Sequence, residues 1–205
     1  MLITDPGAIE ARSMEIIESE LTVDIPPEVK AIVKRVIHCT ADFDYAENLV
    51  FSPGAVETGL AALKNGCAIV TDTQMAKAGI NKSAASKLGC EVCCFMGDAD
   101  VADTAKAQGR TRASVSMEKA AAMGRPLIFA VGNAPTALLT LRELIDAGKV
   151  SPELVIGVPV GFVNILEAKE AILTSPAPHI VARGRKGGSN VAAAIVNALM
   201  YSLTR

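Results

Sequence analysis

The sequence has no excess of charge of either sign, because 20 Lys and Arg side chains stand against 22 Asp and Glu side chains. Proteins that bind nucleic acid through their overall field carry a basic excess, so this balance excludes that class of partner. Any anion must instead be bound by a local cluster of basic groups. With 205 residues, of which 50% are hydrophobic, we expect one well-filled core and a single domain over residues 1–205.

Long apolar runs are also missing. No segment is long and apolar enough to span a bilayer, and the N-terminal MLITDPGAIEARSMEII contains acidic residues but no apolar core of signal-peptide length. We therefore expect no membrane partner and a cytoplasmic location.

Cysteine occurs five times, in a pattern that does not complete a metal site. Cys90 and Cys93 form a CxxC, but they lie in the apolar run CEVCCFM, and no second CxxC or pair of histidines accompanies them. We predict a buried strand whose cysteines act as small apolar side chains. Metal binding or redox chemistry is the alternative interpretation.

The pattern that is present is βα repetition. From Pro53 onward, short runs rich in Val and Ile alternate with segments of helical periodicity. The predicted strands are CAIVTD, CEVCCFM, PLIFAVGN, ELVIGVP and HIVARG. Because these runs are apolar throughout, helices must cover both faces, which indicates a three-layer α/β sandwich with a mainly parallel sheet of about five strands. Ligands of such folds bind at the loops that follow the carboxyl ends of the strands.

Two helices are predicted before the first of these strands. Asp5 is a candidate N-cap followed by a proline at the first helical position, and this helix should run to about Leu21. A second helix should start at the proline pair of TVDIPPEVK and bury an apolar stripe that ends at Ile37. At about 3.6 residues per turn, His38 falls roughly opposite that stripe, so its imidazole should point away from the core.

His38 is one of only 2 histidines in the chain. An exposed histidine without a role is one interpretation of this position. The alternative is a catalytic group, because Arg35 lies one turn earlier and Thr40 and two aspartates follow, which surrounds a titratable imidazole with charged and hydroxyl groups.

A second cluster, ARGRKGGSN, follows the last predicted strand and opens a helix at about Ser189. We call residues 183–189 the basic loop. Its charges, glycine backbone and helix N-terminus suit an anion, and a helix cap with solvated basic residues is the alternative. The loop matches neither GxxxxGK[ST] nor GxGxxG. Its candidate ligand-binding residues are Arg183, Arg185, Lys186, Gly187, Gly188 and Ser189.

Two further positions are candidates of the same kind. Gly132 and Asn133 end the strand PLIFAVGN, where they serve either a tight turn or ligand contact. Arg112 belongs to a predicted helix, GRTRASVSMEKAA, and a solvated surface arginine is the alternative there.

Together these segments resemble the precorrin-8X methylmutase family of cobalamin biosynthesis. The resemblance extends over essentially the whole chain and is carried, in order, by RSMEII, RVIHCTADFDY, GNAPTALL, GVPVGFVN and RGRKGGSNVAAA. It implies an isomerase that moves a methyl group from C-11 to C-12 of precorrin-8X, or of cobalt-precorrin-8, to give hydrogenobyrinic or cobyrinic acid. It also implies a homodimer with its pocket near the subunit interface.

The resemblance assigns the proton donor to His38, with Arg35 and Thr40 as orienting neighbours. A sigmatropic methyl shift needs a proton donor and a shaped pocket, so we expect no metal and no cofactor. The predicted substrate-binding residues are Arg12, Ser13, Arg35, Thr40, Arg112, Gly132, Asn133, Arg183, Arg185, Lys186, Gly187, Gly188 and Ser189.

The flat ring also needs an apolar bed. Because the chain has no Trp and only 2 Tyr and 5 Phe, that bed should be mainly aliphatic, with Val160, Phe162 and Leu138 as candidates. Two other functions stay open: a nucleotide-binding α/β enzyme that uses the basic loop for phosphate, and a carrier that binds tetrapyrrole without turnover.

Overall fold

The computed structural model describes residues 2–205 as a six-stranded sheet with helices on both faces. The strands are β1 (Leu49–Phe51), β2 (Ala68–Thr71), β3 (Glu91–Cys93), β4 (Leu127–Val131), β5 (Leu154–Gly157) and β6 (His179–Ala182). The helices are α1 (Pro6–Glu20), α2 (Pro27–Thr40), α3 (Tyr45–Asn48), α4 (Ala55–Lys64), α5 (Gln74–Gly79), α6 (Lys82–Lys87), α7 (Ala99–Gln108), α8 (Arg112–Ala121), α9 (Pro135–Asp146), α10 (Ile165–Leu173) and α11 (Ser189–Thr204). Within these residues, no helix is long and apolar enough to cross a membrane.

The sheet has the order β1-β6-β5-β4-β2-β3, and its strands run parallel except β1, which is antiparallel to β6. The five predicted strands are present as β2 to β6, which confirms the α/β fold with a mainly parallel sheet. Strand β1 lies outside that prediction, because LVF is three residues long and precedes the βα repeats. It pairs Leu49 with Ala182 and extends the sheet beyond β6.

Side chains of the central strands alternate between two cores. On one face, Ile69 and Ile156 pack with residues of α2, α4 and α11. On the other face, Phe129 and Val155 pack with residues of α8, α9 and α10. Because both faces are covered, the strands are apolar throughout and lack the alternation typical of a half-exposed sheet.

The two N-terminal helices are present as predicted. The carboxylate of Asp5 caps α1 by accepting the N–H of Ala8 at 2.8 Å. Helix α2 packs against α11 through the apolar stripe that ends at Ile37, whereas His38 is exposed. The predicted outward phase of His38 is therefore confirmed.

The end of α2 reaches the carboxyl edge of the sheet. The thiol of Cys39 donates to the carbonyl oxygen of Asn190, at 3.7 Å, in the first turn of α11. The loops that follow β2, β4, β5 and β6 open at the same edge, because these strands are parallel. The fold thus brings His38 next to the βα loops that were predicted to bind a ligand.

Candidate active site

His38 lies in the last turn of α2, and the chain turns sharply just after it. Ala41 ends the helix in the left-handed conformation, with φ of 53°. The hydroxyl of Thr40 donates to the carbonyl of Val36 at 2.8 Å and accepts the N–H of Asp42 at 3.3 Å. Thr40 therefore shapes the helix end that carries His38, and its hydroxyl is already engaged by the backbone.

The segment after α2 is tied to the basic loop by one lysine. The ammonium of Lys186 lies 2.6 Å from carboxylate oxygens of both Asp42 and Asp44. These contacts raise the pKa of Lys186 above its usual value, and the hydrogen bond from Lys186 lowers the pKa of Asp42. Lys186 was predicted as a carboxylate partner of the substrate, and its partners in the folded chain are these two aspartates.

The basic loop is held from behind by Lys169 of α10, which the sequence prediction missed. Its side chain is almost fully buried, and its ammonium donates to the carbonyl oxygens of Gly184 and Lys186, both at 2.8 Å. Burial lowers the pKa of Lys169 to about 8. Lys169 occupies a core position of α10 beside Ala168 and Ile172, so the helical phase alone could have identified a buried lysine.

Glycines let three loops approach the start of α11. A Cβ added to Gly132 would lie 2.7 Å from the Cα of Ser189, and one added to Gly187 would lie 2.1 Å from the carbonyl oxygen of Val158. The N–H of Gly188 donates to the same Val158 oxygen at 2.9 Å. These contacts leave no space for a side chain at Gly132 or Gly187.

Ser189 connects α11 to the loop after β2. Its hydroxyl lies 2.7 Å from the hydroxyl of Thr73, which also caps α5 by accepting the N–H of Ala76. One serine hydroxyl thus joins two loops at the carboxyl edge of the sheet.

The loop after β4 is fixed by a buried carboxylate, Asp72, which the sequence prediction also missed. Asp72 is fully buried and accepts the backbone N–H groups of Gly132, Asn133 and Ala134 at 2.9, 2.8 and 2.6 Å. Burial raises the pKa of Asp72, although the three N–H donors act in the opposite direction. The backbone donors of Gly132 and Asn133 are thereby engaged, and the exposed side chain of Asn133 is what this loop offers to a ligand.

Arg112 is positioned close to that loop. It is exposed at the start of α8, whose N-cap Thr111 lies 2.9 Å, hydroxyl to hydroxyl, from Thr136 in the first turn of α9. Since α9 begins directly after the loop held by Asp72, Arg112 belongs to the same edge of the molecule.

Three predicted residues lie on the N-terminal helices, away from the contacts that build this edge. The guanidinium of Arg12 pairs with Glu15 on its own helix at 2.9 Å, and the hydroxyl of Ser13 donates to the carbonyl of Ile9. Arg35 pairs with Glu10 at 2.6 Å and stacks over the ring of Tyr201. Within the described chain, none of these contacts reaches His38 or the basic loop.

The remaining arginines of the basic loop are exposed and differ in their neighbours. Arg185 stacks over the ring of Phe162, with 5.6 Å from its guanidinium carbon to the ring centroid. The backbone N–H of Arg183 donates to the carbonyl oxygen of Asn48, and Arg183 lines a groove beside the edge strand β1. Arg185 thus faces the loop after β5, whereas Arg183 faces the sheet edge.

An apolar surface lies beside Arg185. Phe162 and Val163 are 82% and 74% exposed, and Val160 is exposed as well. Leu138, the other predicted member of the apolar bed, is fully buried against Gly157. The prediction for Leu138 was wrong because its helical face was assigned to the ligand instead of the sheet.

The backbone of the basic loop presents a row of unused donors. Among the described residues, the N–H groups of Arg185, Lys186 and Gly187 donate to no acceptor within the protein. They precede the N-terminus of α11, whose N-cap Gly188 has no side chain to satisfy its first turn. Such donors at the positive end of a helix suit carboxylate oxygens. His38 is exposed and directly precedes Cys39, whose thiol contacts the first turn of the same helix.

The cysteines lie apart from this arrangement. Cys90 and Cys93 are buried with free thiols, as the structural interpretation of the CxxC requires. Over residues 2–205, no group of three or more His, Cys, Asp and Glu side chains is arranged to hold a metal ion.

Comparison with known proteins identifies relatives over almost the whole chain. The precorrin-8X methylmutase family model matches residues 8–202. The cobalt-precorrin-8 methylmutase of Salmonella typhimurium is 46% identical over 98% of this chain and 97% of its own length. That of Priestia megaterium is 44% identical over 97% of this chain and 88% of its own length. A crystal structure of the precorrin-8X methyl mutase of Thermus thermophilus superposes with a TM-score of 0.88, at 42% identity and 95% coverage of both chains.

Proposed function

Because this chain belongs to the precorrin-8X methylmutase family, the isomerases of cobalamin biosynthesis, we propose that it moves a methyl group from C-11 to C-12 of precorrin-8X or cobalt-precorrin-8. The observation that carries this assignment is His38, an exposed imidazole at the end of α2, directly before residues that contact α11 and the basic loop. The product is the corresponding hydrogenobyrinic or cobyrinic acid.

The reaction needs little covalent chemistry from the protein. A methyl shift between adjacent ring carbons proceeds within the conjugated system, and protonation of the macrocycle next to the migration terminus lowers its barrier. His38 supplies that proton as a general acid, a contribution of about 10²–10⁴-fold for a positioned group. Thr40 holds the helix end that directs His38 through its bonds to Val36 and Asp42.

The carboxylates of the substrate periphery bind to the basic loop and the neighbouring loop starts. Arg185 binds through its guanidinium, and the unused N–H groups of residues 185–187 bind through the backbone. Arg112 and Asn133 bind from the loop side held by Asp72. Lys186 acts mainly by fixing the basic loop to Asp42 and Asp44.

The functional enzyme is a homodimer whose second subunit completes the pocket. His38 is open to solvent in the single chain, whereas exclusion of water from a site strengthens its electrostatic interactions with a bound substrate and prevents proton leakage. Phe162 and Val163 present apolar surface beside the same edge, available to the ring or to the second subunit. Arg12, Ser13 and Arg35, which lie outside the cluster in one chain, reach substrate in this proposal across the dimer.

Incubation of the purified protein with precorrin-8X, and separately with cobalt-precorrin-8, tests the proposal. Conversion to the isomerised corrin, followed by its absorption spectrum, supports the methylmutase and identifies the preferred ring. Pigment that binds but keeps its spectrum would indicate a carrier. A protein that binds neither ring but binds a nucleotide at the basic loop would contradict the proposal.

A further inference from the structure

The buried lysine of α10 has no role in the chemistry described so far. Lys169 is 2% exposed, and its ammonium donates to two carbonyl oxygens of one surface loop, those of Gly184 and Lys186, at 2.8 Å each. Burying an ammonium without a carboxylate partner costs free energy. A methionine or leucine would fill this core position of α10 without that cost, so the charge requires an explanation beyond packing.

The two hydrogen bonds fix the direction of the loop's peptide groups. The chain has no cis peptide bond among its described residues, so each carbonyl points opposite to the N–H of the following residue. With the carbonyls of Gly184 and Lys186 turned toward Lys169, the N–H groups of Arg185 and Gly187 point away from α10. Among the described residues, neither of these two N–H groups has an acceptor in the protein.

Further hydrogen bonds and ion pairs hold the basic loop in place. The carbonyl of Arg185 accepts the N–H of Gly161 at 3.2 Å, and the N–H of Gly188 donates to Val158 at 2.9 Å. Lys186 is held from the opposite side by the aspartates that follow α2. Lys169 therefore lies behind the free N–H groups of residues 185–187. Within the described chain, it is the one fixed positive charge there that has no carboxylate partner.

We propose that Lys169 is a positioning residue for the substrate: it turns the amides of Arg185 and Gly187 toward a ring carboxylate and places a buried positive charge behind that carboxylate. The inference rests on the proposed function, and it assigns to this lysine an effect on the affinity for the acidic tetrapyrrole. The effect is electrostatic as well as geometric, because a charge in a region of low dielectric is screened weakly.

A dependence on pH follows from the same geometry. Burial lowers the pKa of Lys169 to about 8, so the ammonium is present below that pH and is lost above it. Affinity for a carboxylate should therefore be highest below about pH 8 and should fall as the pH rises through it. Lys186 keeps its proton through the same range, because its two aspartates raise its pKa.

The other ionisable groups near Lys169 do not share its hydrogen bonds. Those on its own helix, on the elements packed against it and in the basic loop are Glu167 and Glu170 of α10, Arg142, Glu143 and Asp146 of α9, His179 of β6, and Arg183, Arg185 and Lys186. Arg142 pairs with Asp146, and the Nδ1 atom of His179 lies 2.9 Å from the carbonyl of Ala177. Among the described residues, none of these side chains bonds to the ammonium of Lys169, whose pKa is lowered by burial.

Pigment binding by the full-length protein at pH 7 and pH 9.5 tests the proposal, with precorrin-8X as the probe. The variants are Lys169→Met, which keeps an unbranched side chain only one atom shorter but removes its charge, Lys169→Arg, which keeps the charge, and Lys64→Met, the same change at an exposed position of α4. At pH 7 we expect Lys169→Met to bind about 10- to 100-fold more weakly, Lys169→Arg to recover part of this loss, and Lys64→Met to match the parent. The parent should lose affinity at pH 9.5, and Lys169→Met should not.

The outcomes separate this inference from the proposed function. Failure of the parent to isomerise the pigment contradicts the function itself. A parent that isomerises precorrin-8X, with a Lys169→Met variant of unchanged affinity and the same pH profile, overturns only the role of Lys169. If Lys169→Met does not fold, the parent decides: a flat affinity between pH 7 and 9.5 would refute the buried charge, and a decrease that Lys186→Met retains supports it.

Discussion

At the scale of single residues, the site depends on two buried charges that have no counterpart of opposite sign in contact with them. Asp72 binds three backbone N–H groups of the loop after β4, and Lys169 binds two carbonyls of the basic loop. Both act on backbone instead of on other side chains. The loops therefore hold their shape before a ligand binds, which lowers the entropy lost on binding.

Replacing Asp72 by Asn tests whether its carboxylate is needed to hold the loop after β4. An amide offers one acceptor oxygen, so an NH₂ group faces at least one of the three N–H donors of residues 132–134. We expect Asp72→Asn to lower the free energy of unfolding by about 1–3 kcal/mol, measured by urea denaturation. Asp103→Asn, the same change at an exposed position of α7, should leave stability unchanged. Equal stability of the two variants would show that Asp72 is not required to hold the loop.

The part of the site that could be predicted from the sequence depends on local patterns, and the part that could not depends on contacts between distant residues. His38 could be placed because helical phase is a local property of α2, and its exposure agrees with that phase. The partners of Lys186 and Arg35 could not be predicted, because the fold alone brings them together. Lys186 pairs with Asp42 and Asp44, and Arg35 pairs with Glu10. Charged groups that look available in a sequence are often engaged across the structure.

At the scale of elements, the basic loop is a segment held on several sides. It contacts α10 through Lys169, the loop after β5 through Val158 and Gly161, and the end of α2 through Lys186. The side chains of Arg183 and Arg185 are exposed to solvent. Within this short segment, the residues that offer charge to a ligand therefore differ from those that hold the loop in place.

The two central basic residues of the loop should therefore respond differently to substitution. Arg185→Ala should weaken pigment binding by about 1.5–3 kcal/mol at low ionic strength, where charge contacts are least screened, with little change in melting temperature. Lys186→Ala should act mainly by releasing Asp42 and Asp44 from the loop, so the rate of isomerisation should fall more than the affinity. Equal affinity losses with equal rates in the two variants would contradict this division of roles. Isothermal titration and single-turnover kinetics measure the two quantities.

At the scale of the whole molecule, the fold followed from the sequence more completely than the site did. Five of the strands in the sheet, and both N-terminal helices, could be predicted because apolar runs and caps are local patterns. Strand β1 could not, because its three residues do not belong to a longer apolar run, as the three residues of β3 do in CEVCCFM, and because its pairing with β6 joins distant parts of the chain. Leu138 was assigned to the ligand because sequence alone does not show which face of α9 meets the sheet.

The proposed assembly can be measured directly. Sedimentation equilibrium should give about twice the chain mass of 21.3 kDa, because the proposed dimer would cover His38 and adjoin the apolar surface of Phe162 and Val163, which are exposed in the single chain. Phe162→Ser tests whether this surface belongs to the interface, and Met75→Ser, at another exposed apolar position, is the matched control. A monomer with full activity would exclude a pocket shared between subunits.

The role of His38 as proton donor is tested most directly by single turnover of precorrin-8X with the His38→Ala variant, at excess enzyme so that product release does not limit the signal. Pigment affinity and melting temperature are measured on the same sample. We expect isomerisation to fall by at least about 10²-fold, while affinity and stability stay close to those of the parent, because His38 is exposed and off the apolar stripe of α2. A variant that isomerises the pigment at the parent rate would contradict the assignment of His38 as the proton donor.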